Sequence, residues 1–115
     1  MTTDEFRRLA LALPEAVEQQ HMQHPDFRVG GKIFATLGPD GTWGMVKLRP
    51  EQQAVLIDLD GKSFAPANGA WGARGATIVQ LAAAKPAHVR QALELAWRQT
   101  APKRLVAAHD GRRDR

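Results

Sequence analysis

The sequence predicts an α+β two-layer sandwich, an antiparallel sheet with helices on one face, in the order α-β-β-β-α-β-β-α. Three observations predict it. Residues 28–48, RVGGKIFATLGPDGTWGMVKL, read as three short strands joined by two glycine turns. Segments with apolar residues at helical spacing stand before, between and after the strand regions. A second β-rich stretch, TIVQLA at 77–82, follows the middle helix and re-enters the sheet. Helices that lay an apolar stripe on one face of an antiparallel sheet give this class.

Thr3 is the expected N-cap of a first helix over 3–13, with Asp4 and Glu5 where the helix dipole favours acids. Phe6, Leu9, Ala10 and Leu13 form its apolar stripe, and Pro14 stops it. Ala16–Gln20 suits a short edge strand. Gly30-Gly31 then makes a two-residue hairpin, because such a turn needs φ > 0 at both positions. Gly38-Pro39-Asp40-Gly41 is the second turn. These loops set a register in which Val29 faces Lys32, Arg28 faces Ile33, Phe27 faces Phe34, Leu37 faces Thr42, Phe34 faces Met45 and Lys32 faces Lys47.

Side chains alternate along a strand. In that register one face carries Phe27, Val29, Lys32, Phe34, Thr36, Trp43, Met45 and Lys47, and the other Arg28, Ile33, Ala35, Leu37, Thr42, Gly44, Val46 and Leu48. Two facing lysines repel unless they reach water or share an anion. Pro50 opens the second helix at its first position, and Asp60-Gly61 closes it. Lys62–Ala65 is a short strand. PANGAWGARG at 66–75 is an ordered, irregular loop with Gly69, Gly72 and Gly75 three apart. Pro86 starts the last helix, which runs to Thr100 with Val89, Leu93, Ala96 and Trp97 on one stripe. Pro102 ends it, leaving 1–103 as one domain and 104–115 as a basic tail, disordered from His109.

The chain has 115 residues and no cysteine, which excludes a disulfide framework, thiol catalysis and thiolate metal sites. No apolar run approaches the length of about 20 that a membrane span needs, and the N-terminus lacks a secretory pattern, so a cytoplasmic protein without membrane contact is expected. Residues 1–84 carry a net charge of −1 and residues 85–115 of +5, so the basic excess is regional. A basic end favours polyanions through counterion release.

Catalytic patterns are missing. Ser63 is the only serine and has no nucleophile-elbow frame. Asp58 and Asp60 are turn-formers at a helix end, and Asp26 is an isolated acid. His21 and His24 stand three apart, yet no further ligand accompanies them, so no metal and no cofactor is expected. The glycine spacing of the 69–75 loop matches no phosphate cradle. A protein without enzyme activity is the expectation. Trp71, between glycines, suits a plug at the edge of the core, with Arg74 beside it open to a ligand; Trp43, just after its turn, is partly exposed and flanks Lys47.

Residues 24–34 (HPDFRVGGKIF), 43–51 (WGMVKLRPE) and 69–81 (GAWGARGATIVQL) together resemble the MmcQ/YjbR family of small bacterial proteins, over about residues 3–103. The resemblance implies the same helix-on-sheet fold and DNA binding through paired hairpins of a double-wing motif. It draws attention to His24, Phe27, Arg28, Lys32, Lys47, Trp71, Gly72, Arg74 and Thr77. Ala76 and Ala73 depart from it, standing where an aromatic and a basic residue are common. The expected nucleic-acid contacts are Arg28, Lys32, Lys47, Arg49 and Arg74, with His24, Trp43 and Trp71 as further ligand or partner contacts. A second expectation is a protein-interaction or small-anion-binding domain, in which the apolar sheet accepts a partner or pairs in a homodimer that buries Phe34 and Trp43.

Overall fold

The computed structural model describes residues 1–113, apart from the side chains of His21 and Arg113. Among the described residues eleven elements follow one another: α1 (Thr3–Leu11), β1 (Val17–His21), β2 (His24–Val29), β3 (Lys32–Leu37), β4 (Trp43–Lys47), α2 (Pro50–Leu59), β5 (Phe64–Pro66), α3 (Gly69–Ala73), β6 (Ala76–Gln80), α4 (Pro86–Thr100) and α5 (Lys103–Arg113). The six strands form one antiparallel sheet in the order β1-β2-β3-β4-β6-β5. The expected α+β class holds; the short edge strand expected over Ala16–Gln20 is β1, and a one-turn helix and a terminal helix are added to the expected order.

Local chemistry explains several boundaries. The N-cap of α1 is Thr2 rather than Thr3: its hydroxyl accepts from Glu5 N–H while Glu5 accepts from Thr2 N–H, a reciprocal capping box. The β1–β2 turn uses Met22 and Gln23 at φ 48° and 67°. This left-handed conformation costs energy without glycine, so the turn carries no sequence signal. Gly30 and Gly31, at φ 60° and 78°, make the β2–β3 turn as expected.

The β3–β4 register differs by two residues from the expected one: Leu37 pairs with Gly44, Thr36 with Met45 and Ala35 with Val46. Asp40 takes both the backbone N–H and the hydroxyl of Thr42, at 3.0 and 2.8 Å, and so keeps Thr42 in the loop. Gly38 joins the ladder instead, its N–H donating to Trp43 O at 2.8 Å. The indole of Trp43 lies over Gly38, where a Cβ would come within 2.3 Å of the ring.

A bulge corrects the face assignment as well. Arg28 pairs with Ile33 and Val29 with Lys32, but Phe27 pairs with Ala35, leaving Phe34 as the extra residue. Phe34 and Ala35 are therefore both buried although adjacent. Phe27, Val29, Ala35, Leu37 and Val46 share the helix-covered face, while Arg28, Ile33, Thr36, Trp43, Met45 and Lys47 belong to the other. Phe34, fully buried within the subunit, is closed to the homodimer contact expected of it.

The core lies between the sheet and helices α1, α2 and α4, around Phe6, Phe27, Phe34, Leu56, Leu93 and Trp97. Phe6 and Phe27 meet with ring centroids 5.9 Å apart. Trp97 is core, as its stripe implies, and donates its indole N–H to Pro14 O at 2.9 Å.

The expected tail is instead a helix through Arg113, and its last two residues lie outside those described. Leu105 of α5 is buried, Arg98 of α4 binds Asp110, and His109 packs its ring edge on Trp97 at 5.2 Å while bonding Glu94. The pairing with Asp110 holds the Arg98 pKa above its ordinary value. The terminal helix is thus tied to α4 through His109 and Asp110, while Lys103, Arg104 and Arg112 stay exposed. No helix among the described residues is long and apolar enough to cross a membrane.

Candidate nucleic-acid interface

The uncovered face of the sheet opens into adjoining hollows, and all five expected cationic contacts line two of them. The first, about 470 Å³ at the end of β2–β3–β4, is bounded by Arg28, Gly31, Lys32, Ile33, Lys47, Gln99 and Thr100. The second, about 660 Å³, lies over β3, β4 and β6 beneath the 66–75 segment. Its floor is Ile33, Thr36, Met45 and Ile78; Trp43, Lys47, Arg49, Trp71 and Arg74 stand around it. Ile33, Lys47 and Gln99 belong to both. Lys32 and Lys47 therefore share a hollow without facing each other across the ladder.

The bulge builds this floor. Ile33 and Thr36 are three residues apart and in an unbroken strand point to opposite sides. The extra residue at Phe34 turns both outward. Thr36 pairs with Met45, and Met45 with Ile78, so the three form a row across β3, β4 and β6. His24 flanks the row, its ring 6.5 Å from that of Trp43.

The cations are not equivalent. Arg28 donates from Nε and Nη2 to Asp26 Oδ1 and Oδ2 at 2.9 and 3.1 Å, and Asp26 is fully buried. That bidentate bond raises the arginine pKa above its usual value and offsets the charge Arg28 offers a ligand. Arg49 has an exposed neighbour in Glu51 at 3.4 Å, a weak pairing in water. Lys47 and Arg74 are exposed on the face, and Lys32, paired with Val29 beside the β2–β3 turn, is exposed at its rim; together they supply its accessible positive charge.

Trp71 is not a core plug. It sits on the short helix α3 with 66% of its surface exposed. The plug in this segment is a glycine: a Cβ on Gly72 would lie 1.7 Å from Ala67 O, and one on Gly75, at φ 113°, 2.0 Å from Leu48 O. Sequence reasoning gave no hint of Gln53, which secures the segment from α2. Its buried amide nitrogen lies 3.1, 3.0 and 3.1 Å from Gly72 O, Ala76 O and Thr77 Oγ1, and the Thr77 hydroxyl donates to Gly75 O at 2.8 Å. Of the positions highlighted by family resemblance, Phe27, Gly72 and Thr77 are structural. The Asp26–Arg28 pair was also overlooked, although two residues apart on a strand share a face.

Asp60, Ser63 and His88 meet elsewhere. Ser63 Oγ donates to Asp60 Oδ2 at 2.7 Å and lies 3.1 Å from Ala83 O, and His88 Nδ1 lies 2.9 Å from the same carboxylate oxygen. The acid stands between serine and histidine, the wrong order for a base to take the serine proton. Ser63 is fully buried. These bonds lower the Asp60 pKa to about 2, the Ser63 hydroxyl contributing most, and they tie the end of α2 to the start of α4. Among the described residues no three His, Asp or Glu side chains converge as a metal site; the His21 side chain, half of the pair noted in sequence, lies outside them.

Comparison with known proteins follows the fold. No curated protein matches the chain. The crystal structure of Deinococcus radiodurans protein DR2400, which carries the family domain DUF419, superposes with a TM-score of 0.69 at 19% identity, covering 85% of this chain and 77% of that one. The YjbR family model matches residues 11–99, from the end of α1 to the last turn of α4 and across every strand. The sheet, its bulged third strand and the groove above it are thus the fold of a protein that belongs to the YjbR family.

Proposed function

We propose that the uncovered sheet face binds DNA through weak, sequence-tolerant contacts to phosphates, without catalysis. One observation carries this reading: Arg28, Lys32, Lys47, Arg49 and Arg74, distant in sequence, line one continuous pair of hollows. Phosphate contacts fix position without reading sequence. In this reading the family's double-wing motif corresponds to the hairpins that deliver Lys32 and Lys47. The binding module needs no acid–base machinery, and the bonds of Ser63 and His88 to Asp60 supply none.

Titrating fluorescently labelled DNA against the full chain from about 50 to 200 mM salt tests it. With four phosphate contacts at about 0.7–0.9 per contact, log K falls against log salt with a slope of about −3 to −4. Affinity that ignores salt, or that survives combined Lys32→Ala and Lys47→Ala substitution, overturns the reading. A protein-interaction or small-anion-binding module is the alternative, favoured by the apolar row Thr36–Met45–Ile78 and by exposed Trp71. Salt-independent dimerisation that buries this row, measured by sedimentation, would be its signature.

A further inference from the structure

We infer that the nucleic acid suited to this face is a single strand, its unpaired bases stacked on Trp71 and seated over the apolar floor. The inference rests on the DNA-binding reading and adds to it the strandedness of the ligand. Phosphates alone explain the lysines. They do not explain why the middle of the groove is Thr36, Met45 and Ile78, nor why a tryptophan is held two-thirds exposed at its rim. An apolar floor and an indole face gain from covering another flat, apolar surface, and a base offers one. In a duplex those surfaces are already stacked on neighbouring base pairs, leaving the phosphate backbone and groove edges to contact. An unpaired base has its face free.

Charge complementarity places the strand. Lys32 starts β3, Lys47 ends β4 and Arg74 precedes β6, whose Ala76 pairs with Lys47. The three cations thus stand along one edge of the groove, and the apolar row runs beside them, two residues further along β4 and β6. Neighbouring strands are about 4.8 Å apart, so the three steps from β2 to β6 span roughly 14 Å, enough for a few nucleotides. The backbone lies along the cations while bases turn inward to the floor. No side chain on the floor is a strong hydrogen-bond reader of base edges, so stacking is tolerant of sequence, as at other single-strand platforms. Trp71 is held ready: Gln53 and Thr77 bind the backbone on both sides of Gly75, and Gly72 lies against Ala67.

The experiment measures binding of a labelled thymidine 15-mer, the same strand annealed to its complement, an abasic strand of equal charge, and free thymidine monophosphate, all at one salt concentration. Full-length wild type, Trp71→Ala and Lys47→Ala are compared, with circular dichroism to confirm folding. The single strand binds at least about ten times tighter than the duplex. Trp71→Ala loses about 5- to 150-fold on the single strand, the factor equivalent to about 1–3 kcal/mol per stacked base. It loses little on the abasic strand, whereas Lys47→Ala weakens both. Equal or tighter duplex binding overturns the inference, as does a Trp71→Ala variant with unchanged affinity. If Lys47→Ala still weakens binding in those cases, the DNA-binding reading stands alone. Monophosphate binding as tight as the 15-mer also overturns it, in favour of a nucleotide site. Absence of binding to every probe removes both readings.

Discussion

The two faces of the sheet come from the same strands and obey different demands. On the helix side Phe27, Val29, Ala35, Leu37 and Val46 are buried against α1 and α4, and each is fixed by its neighbours. On the other side Ile33, Thr36, Trp43, Met45 and Ile78 stay partly exposed and are bordered by cations. A side chain on the first face answers to packing. On the second it is held by fewer neighbours and keeps part of its surface open.

Substitutions sharpen the contrast, beginning with the largest effect. Phe27→Ala should destabilise the fold by about 3–5 kcal/mol in urea unfolding, whereas Trp71→Ala should change it by no more than about 0.5 kcal/mol. Comparable losses from both would erase the distinction between the faces. Gly72→Ala forces a Cβ against Ala67 O and should cost about 1–3 kcal/mol or more, visible as a lower thermal midpoint.

Gln53→Leu removes the amide that serves Gly72 O and Ala76 O. It should cost about 1–3 kcal/mol and accelerate amide exchange over residues 72–77 ahead of the rest of the sheet. Acid titration adds a finer test. Asp60, with a folded pKa of about 2 against an ordinary value of 3.8, contributes stability that is complete above about pH 4 and is lost as pH falls toward 2. Asp60→Asn should flatten that part of the profile of thermal midpoint against pH. The smallest change expected is on the open face, where Lys47→Ala should leave the midpoint unchanged and reduce the salt slope of the proposed DNA binding by about 1.

Much of this was legible in the chain. Gly30-Gly31 placed one hairpin correctly because only glycine takes two positive φ values cheaply. Pro50 and Pro86 marked the starts of α2 and α4 for the same kind of local reason. The rest depended on contacts made after folding. The bulge at Phe34 has no local signature, yet it decides which side of β3 faces the helices. Met22-Gln23 hides a turn behind residues that rarely make one. The end of the chain is rich in charge and reads as a tail, but Leu105 and the bonds of Arg98 and His109 hold it as a helix. The five basic residues were identified individually; their convergence belongs to the sheet order. A tryptophan among glycines suits a plug and a rim equally well, and only the contact of Gly72 with Ala67 shows which residue fills the crevice.

The amide of Gln53 has a consequence for kinetics. Because one helix residue already fastens the segment that bears Trp71, an arriving ligand need not wait for a flap to shut. Association should follow a single exponential whose rate rises linearly with protein concentration, without the plateau that a slow closing step imposes.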